Sequence, residues 1–259
     1  MSGALILGCI LLWVLLSLLL GLFVGKLIAI GRGPTGCALP NLSIDHQKGT
    51  TMKSDRNIPL FLTVPGLGNS GPEHWQSLWE KDSDDFQRAD LGLWDAPHRT
   101  LWVNKLNLAI RATNRPVVLV AHSLGCLAVA WWAKYERPLE GDPVVGALLV
   151  APPEVDVHPV DPRLLPFAPA PTGQLPFRSM LVASRNDPYM KFHRARRLAS
   201  FWGSKFMDAG AVGHINADSR LGKWHFGRRL LERLVTGAEP LWSTPTKPSN
   251  YGVESGARA

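Results

Sequence analysis

Ser123, Asp187 and His214 are the residues of this chain whose types and order could perform acyl transfer. A serine hydroxyl is a weak nucleophile. An imidazole must take its proton, and a carboxylate must hold that imidazole in one tautomer and stabilise the cation it becomes. In this reading Ser123 attacks, His214 acts as base and then as acid, and Asp187 orients His214. Ser123 lies in Ala121-His-Ser-Leu-Gly125. That is the pattern Gly-x-Ser-x-Gly with alanine at the first glycine, and alanine is the smallest side chain that could replace it in a tight turn.

The competing residues are placed less well. His122 precedes the serine and is expected to point to the other side of the turn. His193 and His225 fall in helical patterns, and His74, His98 and His158 in loops or first turns. His214 sits between two glycine-containing turns. Asp187 stands before Pro188 at the end of an apolar run, whereas Asp208 and Asp218 are the rival carboxylates.

These side chains need elements to position them. Residues 116–122 form an apolar, β-branched run opened by a proline, which suits a strand buried on both faces of a parallel sheet. Residues 124–136 then change to a helical rhythm, so Ser123 falls on a strand-to-helix turn. Such a turn exposes the hydroxyl and frees the backbone N–H of Leu124 to stabilise an oxyanion. A second donor is expected near Leu67, in the glycine-rich loop after a first strand at 59–64, because glycines let backbone approach a reacting carbonyl. Ser70 and Glu73 read as a capping box starting a helix that carries Trp75, Leu78 and Trp79 on one face.

Further strands are expected at 86–91, 143–150, 178–183 and 205–208, with helices at 102–113, 191–202 and 221–235. The alternation predicts an α/β fold with a doubly wound, mostly parallel sheet and ligands at the carboxyl ends of its strands. Eight prolines between residues 151 and 177 forbid a helical cap and leave at most a short lid. Trp75, Trp94 and Pro152 are expected to contact substrate, with Trp79 and Trp102 as further possible wall residues. A shallow pocket for short acyl groups follows.

Residues 4–24 carry no charge, enough apolar helix to cross a bilayer, and no A-x-A-like cleavage site follows. Residues 1–30 therefore read as an uncleaved N-terminal transmembrane anchor, or as the product of a start site placed upstream of Met52. Residues 31–57 read as a linker, 58–236 as the folded domain and 237–259 as a disordered tail. Lys26 and Arg32 follow the span, which puts the bulk of the chain in the cytoplasm. Three cysteines without a framework suit a reducing compartment. The net charge of +7 is concentrated in residues 191–197 and 220–233, whose helical spacing makes them solvated faces. No nucleic-acid motif, metal-ligand spacing or cofactor fingerprint accompanies them, so the reading has no nucleic acid, no metal and no cofactor. The sequence carries no signal for an oligomeric state.

Four stretches together resemble a known family: residues 64–79, the Ala121 to Gly125 turn, Ser184-Arg-Asn-Asp-Pro188 and Gly213-His-Ile-Asn216. They are similar to the small serine hydrolases grouped with retinoblastoma-binding protein nine and its YdeN-like relatives. The resemblance covers residues 58–235. It implies a compact α/β-hydrolase without a large cap, a triad on Ser123, Asp187 and His214, and hydrolysis of small acyl esters or, in some relatives, amides. Ala121 departs from the family pattern. The alternative is a membrane-tethered interaction protein that keeps the fold and binds through its tryptophan and arginine surface.

Overall fold

Six parallel strands in the order β2-β1-β3-β4-β5-β6 form the frame. They are β1 (Leu60–Val64), β2 (Phe86–Arg88), β3 (Val117–His122), β4 (Val144–Val150), β5 (Arg178–Ala183) and β6 (Lys205–Asp208). The computed structural model describes residues 58–139 and 143–237. The expected anchor and linker, and the tail from residue 238, lie outside these. Among the described residues no helix is long and apolar enough to cross a membrane.

All six residues of β3 are buried, and its alternation assigns the two faces of the sheet. Val117, Leu119 and Ala121 join the core beneath α2 (Arg99–Arg111), α3 (Leu124–Glu136) and α4 (Phe192–Trp202). Val118 and Val120 join the opposite core beneath α1 (Trp75–Asp82) and α5 (His225–Thr236). Helices on both faces explain why the central strands are continuously apolar rather than alternating with polar residues. The chain reverses direction across the sheet between β1 and β3, and such a switch point opens a crevice at the carboxyl ends of the strands.

Two expectations are corrected. The first helix does not start at a Ser70 and Glu73 capping box: α1 begins at Trp75, and His74 caps it by accepting the Gln76 N–H at its Nδ1. Ser70 Oγ instead donates to the Gln76 side chain, 2.6 Å away. The strand expected at 86–91 ends at Arg88, whose guanidinium turns back to the loop after β1. It donates to Asn69 Oδ1 at 3.1 Å and to the Ser70 carbonyl at 2.9 Å, and it pairs with Glu80 at 2.7 Å. The proline-rich segment forms a short 3₁₀ turn, Pro162–Phe167, and no α-helix.

Candidate active site

Ser123 stands between β3 and α3 with φ 53° and ψ −127°, a conformation that residues other than glycine seldom adopt. The strain persists because the strand before it and the helix after it are both fixed in the core. Gly125 and Gly66 make the turn possible. A Cβ on Gly125 would lie 2.2 Å from the Val64 carbonyl oxygen, and one on Gly66 would lie 2.7 Å from Ser123 Cβ. The end of β1 therefore presses against the serine turn with no room for a side chain between them. Ala121 needs no such room, because it packs within the core under α2 and α3.

His214 Nε2 is 2.9 Å from Ser123 Oγ. Its Nδ1 is 2.9 and 3.0 Å from the two carboxylate oxygens of Asp187. A carboxylate only accepts, so Nδ1 carries the proton and Nε2 is left to accept from the serine hydroxyl. Asp187 is itself held by the Tyr189 N–H at 2.9 Å, and the Tyr189 ring lies against His214 with centroids 4.3 Å apart. The loops bearing Asp187 and His214 are tied together: Asn186 Oδ1 accepts from the Gly213 N–H, and Ser184 Oγ accepts from the Val212 N–H.

The cavity over Ser123 holds about 290 Å³ and is lined by Leu67, Tyr189 and His214 on one hand and by Arg163 and Leu164 of the proline-rich segment on the other. That segment therefore shares the cavity with the serine. Leu124 is the first residue of α3, so its N–H has no acceptor within the helix. The loop carrying Leu67 is fixed by a Gly68 N–H bond to the Trp94 carbonyl at 3.0 Å. The expected wall residues are elsewhere. Trp75 is buried in the core under α1, Trp79 and Trp102 are equally enclosed, and Pro152 is buried beyond β4. Trp94 packs edge-on to Trp102, centroids 5.6 Å apart. None of these lines the cavity: the indoles of Trp75, Trp79 and Trp102 fill the core, and Trp94 is half-buried in a loop against Trp102. Cys126 is fully buried, and burial pushes its thiol well above the usual range.

Two histidines that sequence reasoning set aside lie at the site. His74 lines the cavity, and His122 packs between it and His214, with ring centroids 4.7 and 5.1 Å away. The signal for His122 was available, since it continues the alternation of Val118 and Val120 toward the α1 face. Burial, assisted by Arg88 and His214, lowers His74 to about 3. Burial, then His74 and His214, holds His122 well below 6.5. Unfolded histidines take up protons below about pH 6.5 while these folded ones resist, so stability falls as pH drops below 6.5, for His74 down to about 3. Each such histidine costs up to about 1.4 kcal/mol per pH unit in that window. Thermal melts at pH 7, 5.5 and 4.5 should show a falling Tm, with a shallower decline in His74→Gln.

Residues 61–233 match the family described as serine hydrolase. The chain belongs to the serine hydrolase family. This serine hydrolase is similar to a YdeN-like hydrolase from Pectobacterium atrosepticum, with 32% identity over 68% of this chain and 90% of that one, at a TM-score of 0.60. It shares the fold of the ydeN gene product from B. subtilis, at 20% identity over 69% of this chain and 99% of that one, with a TM-score of 0.56. It also shares the fold of Est1E from Butyrivibrio proteoclasticus, at 14% identity over 70% and 91%, with a TM-score of 0.52. No match was found among curated proteins.

Proposed function

We propose that this serine hydrolase cleaves small acyl esters through an acyl-enzyme on Ser123. The observation that carries the reading is the unbroken line of hydrogen-bonding contacts from Asp187 through His214 to Ser123, each 2.9–3.0 Å. Ser123 Oγ attacks the ester carbonyl as His214 Nε2 takes its proton. Asp187 holds the resulting imidazolium, and the N–H groups of Leu124 and Leu67 receive the negative charge on the carbonyl oxygen. Collapse expels the alkoxide, which leaves with the proton from His214. Water, deprotonated by His214, then attacks the acyl-serine and returns the hydroxyl.

Substrate size follows from the cavity. At about 290 Å³, walled in part by Arg163 and Leu164, it suits a short acyl chain. Across a series of p-nitrophenyl esters, kcat/KM should be highest for acetate or butyrate and lower by at least about tenfold for palmitate. A preference for the long chain contradicts the short-chain reading.

We infer the membrane attachment from the sequence of residues 4–24 alone, whose uncharged apolar length would otherwise lie in water. With Lys26 and Arg32 following the span, the hydrolase domain faces the cytoplasm. Full-length protein should sediment with membranes, and a chain starting at Met52 should remain in the supernatant with equal turnover per serine titrated. An inactive or insoluble Met52 chain overturns the boundary at residue 58.

A further inference from the structure

The loop that carries His214 passes through a strained residue. Ile215, the next residue, has φ 52°, and a β-branched residue in the left-handed region is a genuine outlier. Ile215 is also fully buried, so the surroundings must enforce this conformation.

Two buried ring N–H groups meet the loop at successive carbonyls. His122 Nε2 lies 3.0 Å from the His214 carbonyl oxygen. A carbonyl only accepts, so Nε2 is the protonated nitrogen of His122. Trp75 Nε1 donates to the Ile215 carbonyl at 2.8 Å. The first donor extends from β3, one residue before the nucleophile, and the second from the first residue of α1. His74 packs edge-on against His122 and is itself locked as the cap of α1. The base is thereby referenced to the same strand that presents the serine.

We propose that His122 and Trp75 are positioning residues that hold the strained His214–Ile215 backbone so that His214 Nε2 stays within hydrogen-bond reach of Ser123 Oγ. The inference rests on the proposed role of His214 as the base. Without both donors, two buried carbonyls lose their partners and Ile215 is free to relax toward negative φ. A shift of this kind moves the imidazole, and misplacement by about 1 Å costs on the order of 10²-fold in rate. Burial keeps His122 neutral, so its positioning role does not require it to carry charge.

The test compares His122→Phe, His122→Gln, His122→Asn and Trp75→Phe in the full-length protein. Readouts are kcat and KM on a butyrate ester, the rate of fluorophosphonate labelling, and near-UV circular dichroism to establish folding. Glutamine places an amide N–H near the position of Nε2, whereas asparagine is too short to reach the carbonyl. We expect His122→Phe, His122→Asn and Trp75→Phe to lose on the order of 10²-fold in kcat and in labelling rate with little change in KM. His122→Gln should recover most of both. Should His122→Phe fail to fold, the glutamine and asparagine pair makes the same comparison. Folded His122→Phe or His122→Asn reacting at the wild-type rate, or His122→Gln no better than His122→Asn, overturns the proposal. A wild-type protein that does not react with the probe would instead refute the role of Ser123 and His214.

Discussion

Ser123→Ala and His214→Ala should each lower ester turnover by about 10⁴-fold or more while leaving the protein folded. The magnitude follows from roles that depend on one another: without Oγ there is nothing to acylate, and without Nε2 the hydroxyl that lies 2.9 Å from it keeps its proton. Neither change opens the core. Ser123 removes one oxygen at a turn whose backbone conformation alanine adopts as readily as serine, and His214 sits at the cavity rather than between helix and sheet. The double variant should be no slower than the worse single one, since the two groups act as a unit. Steady-state kinetics beside thermal melts check both parts, and substantial turnover in either single variant refutes the assignment.

Asp187→Asn should cost a comparable amount, roughly 10⁴-fold in kcat, although it changes only one atom type. The carboxylate accepts from His214 Nδ1 through both oxygens, which fixes the tautomer with a free Nε2. An amide offers an N–H on that side, so the ring can reverse its protonation and present Nε2–H to the serine hydroxyl, the wrong partner for a base. The Tyr189 N–H can still bond to the amide oxygen, so the loop keeps its anchor. The expected signature is a fallen kcat with a nearly unchanged KM and melting temperature. A variant within tenfold of wild type would mean that Asp187 is not the orienting carboxylate.

The frame that places these residues was readable because it depends on local rhythm and chain order. The apolar run of β3, the helical spacing after Leu124, and the order of Ser, Asp and His after β3, β5 and β6 all survive without knowledge of distant contacts. What was not readable depends on which neighbour a side chain meets. The spacing of Trp75 and Trp79 marked a buried face of α1, but burial against a sheet and burial against a cavity leave the same periodicity. In the structure both lie in the core, and Trp75 reaches the His214 loop through its N–H rather than lining the cavity. Ser70 and Glu73 carried a capping signal that was outcompeted, since the Ser70 hydroxyl is taken by Gln76 and His74 supplies the cap. The Gly125 contact with the Val64 carbonyl likewise joins segments sixty residues apart, a proximity that the pattern around Ser123 implies without displaying.

The most direct test of the account is intact mass measurement of the protein after reaction with a fluorophosphonate, followed by peptide mapping of the adduct. The account predicts one phosphonyl group per chain, on Ser123, with labelling lost in Ser123→Ala and strongly slowed in His214→Ala. An unlabelled wild-type protein, or an adduct that persists in Ser123→Ala, contradicts it.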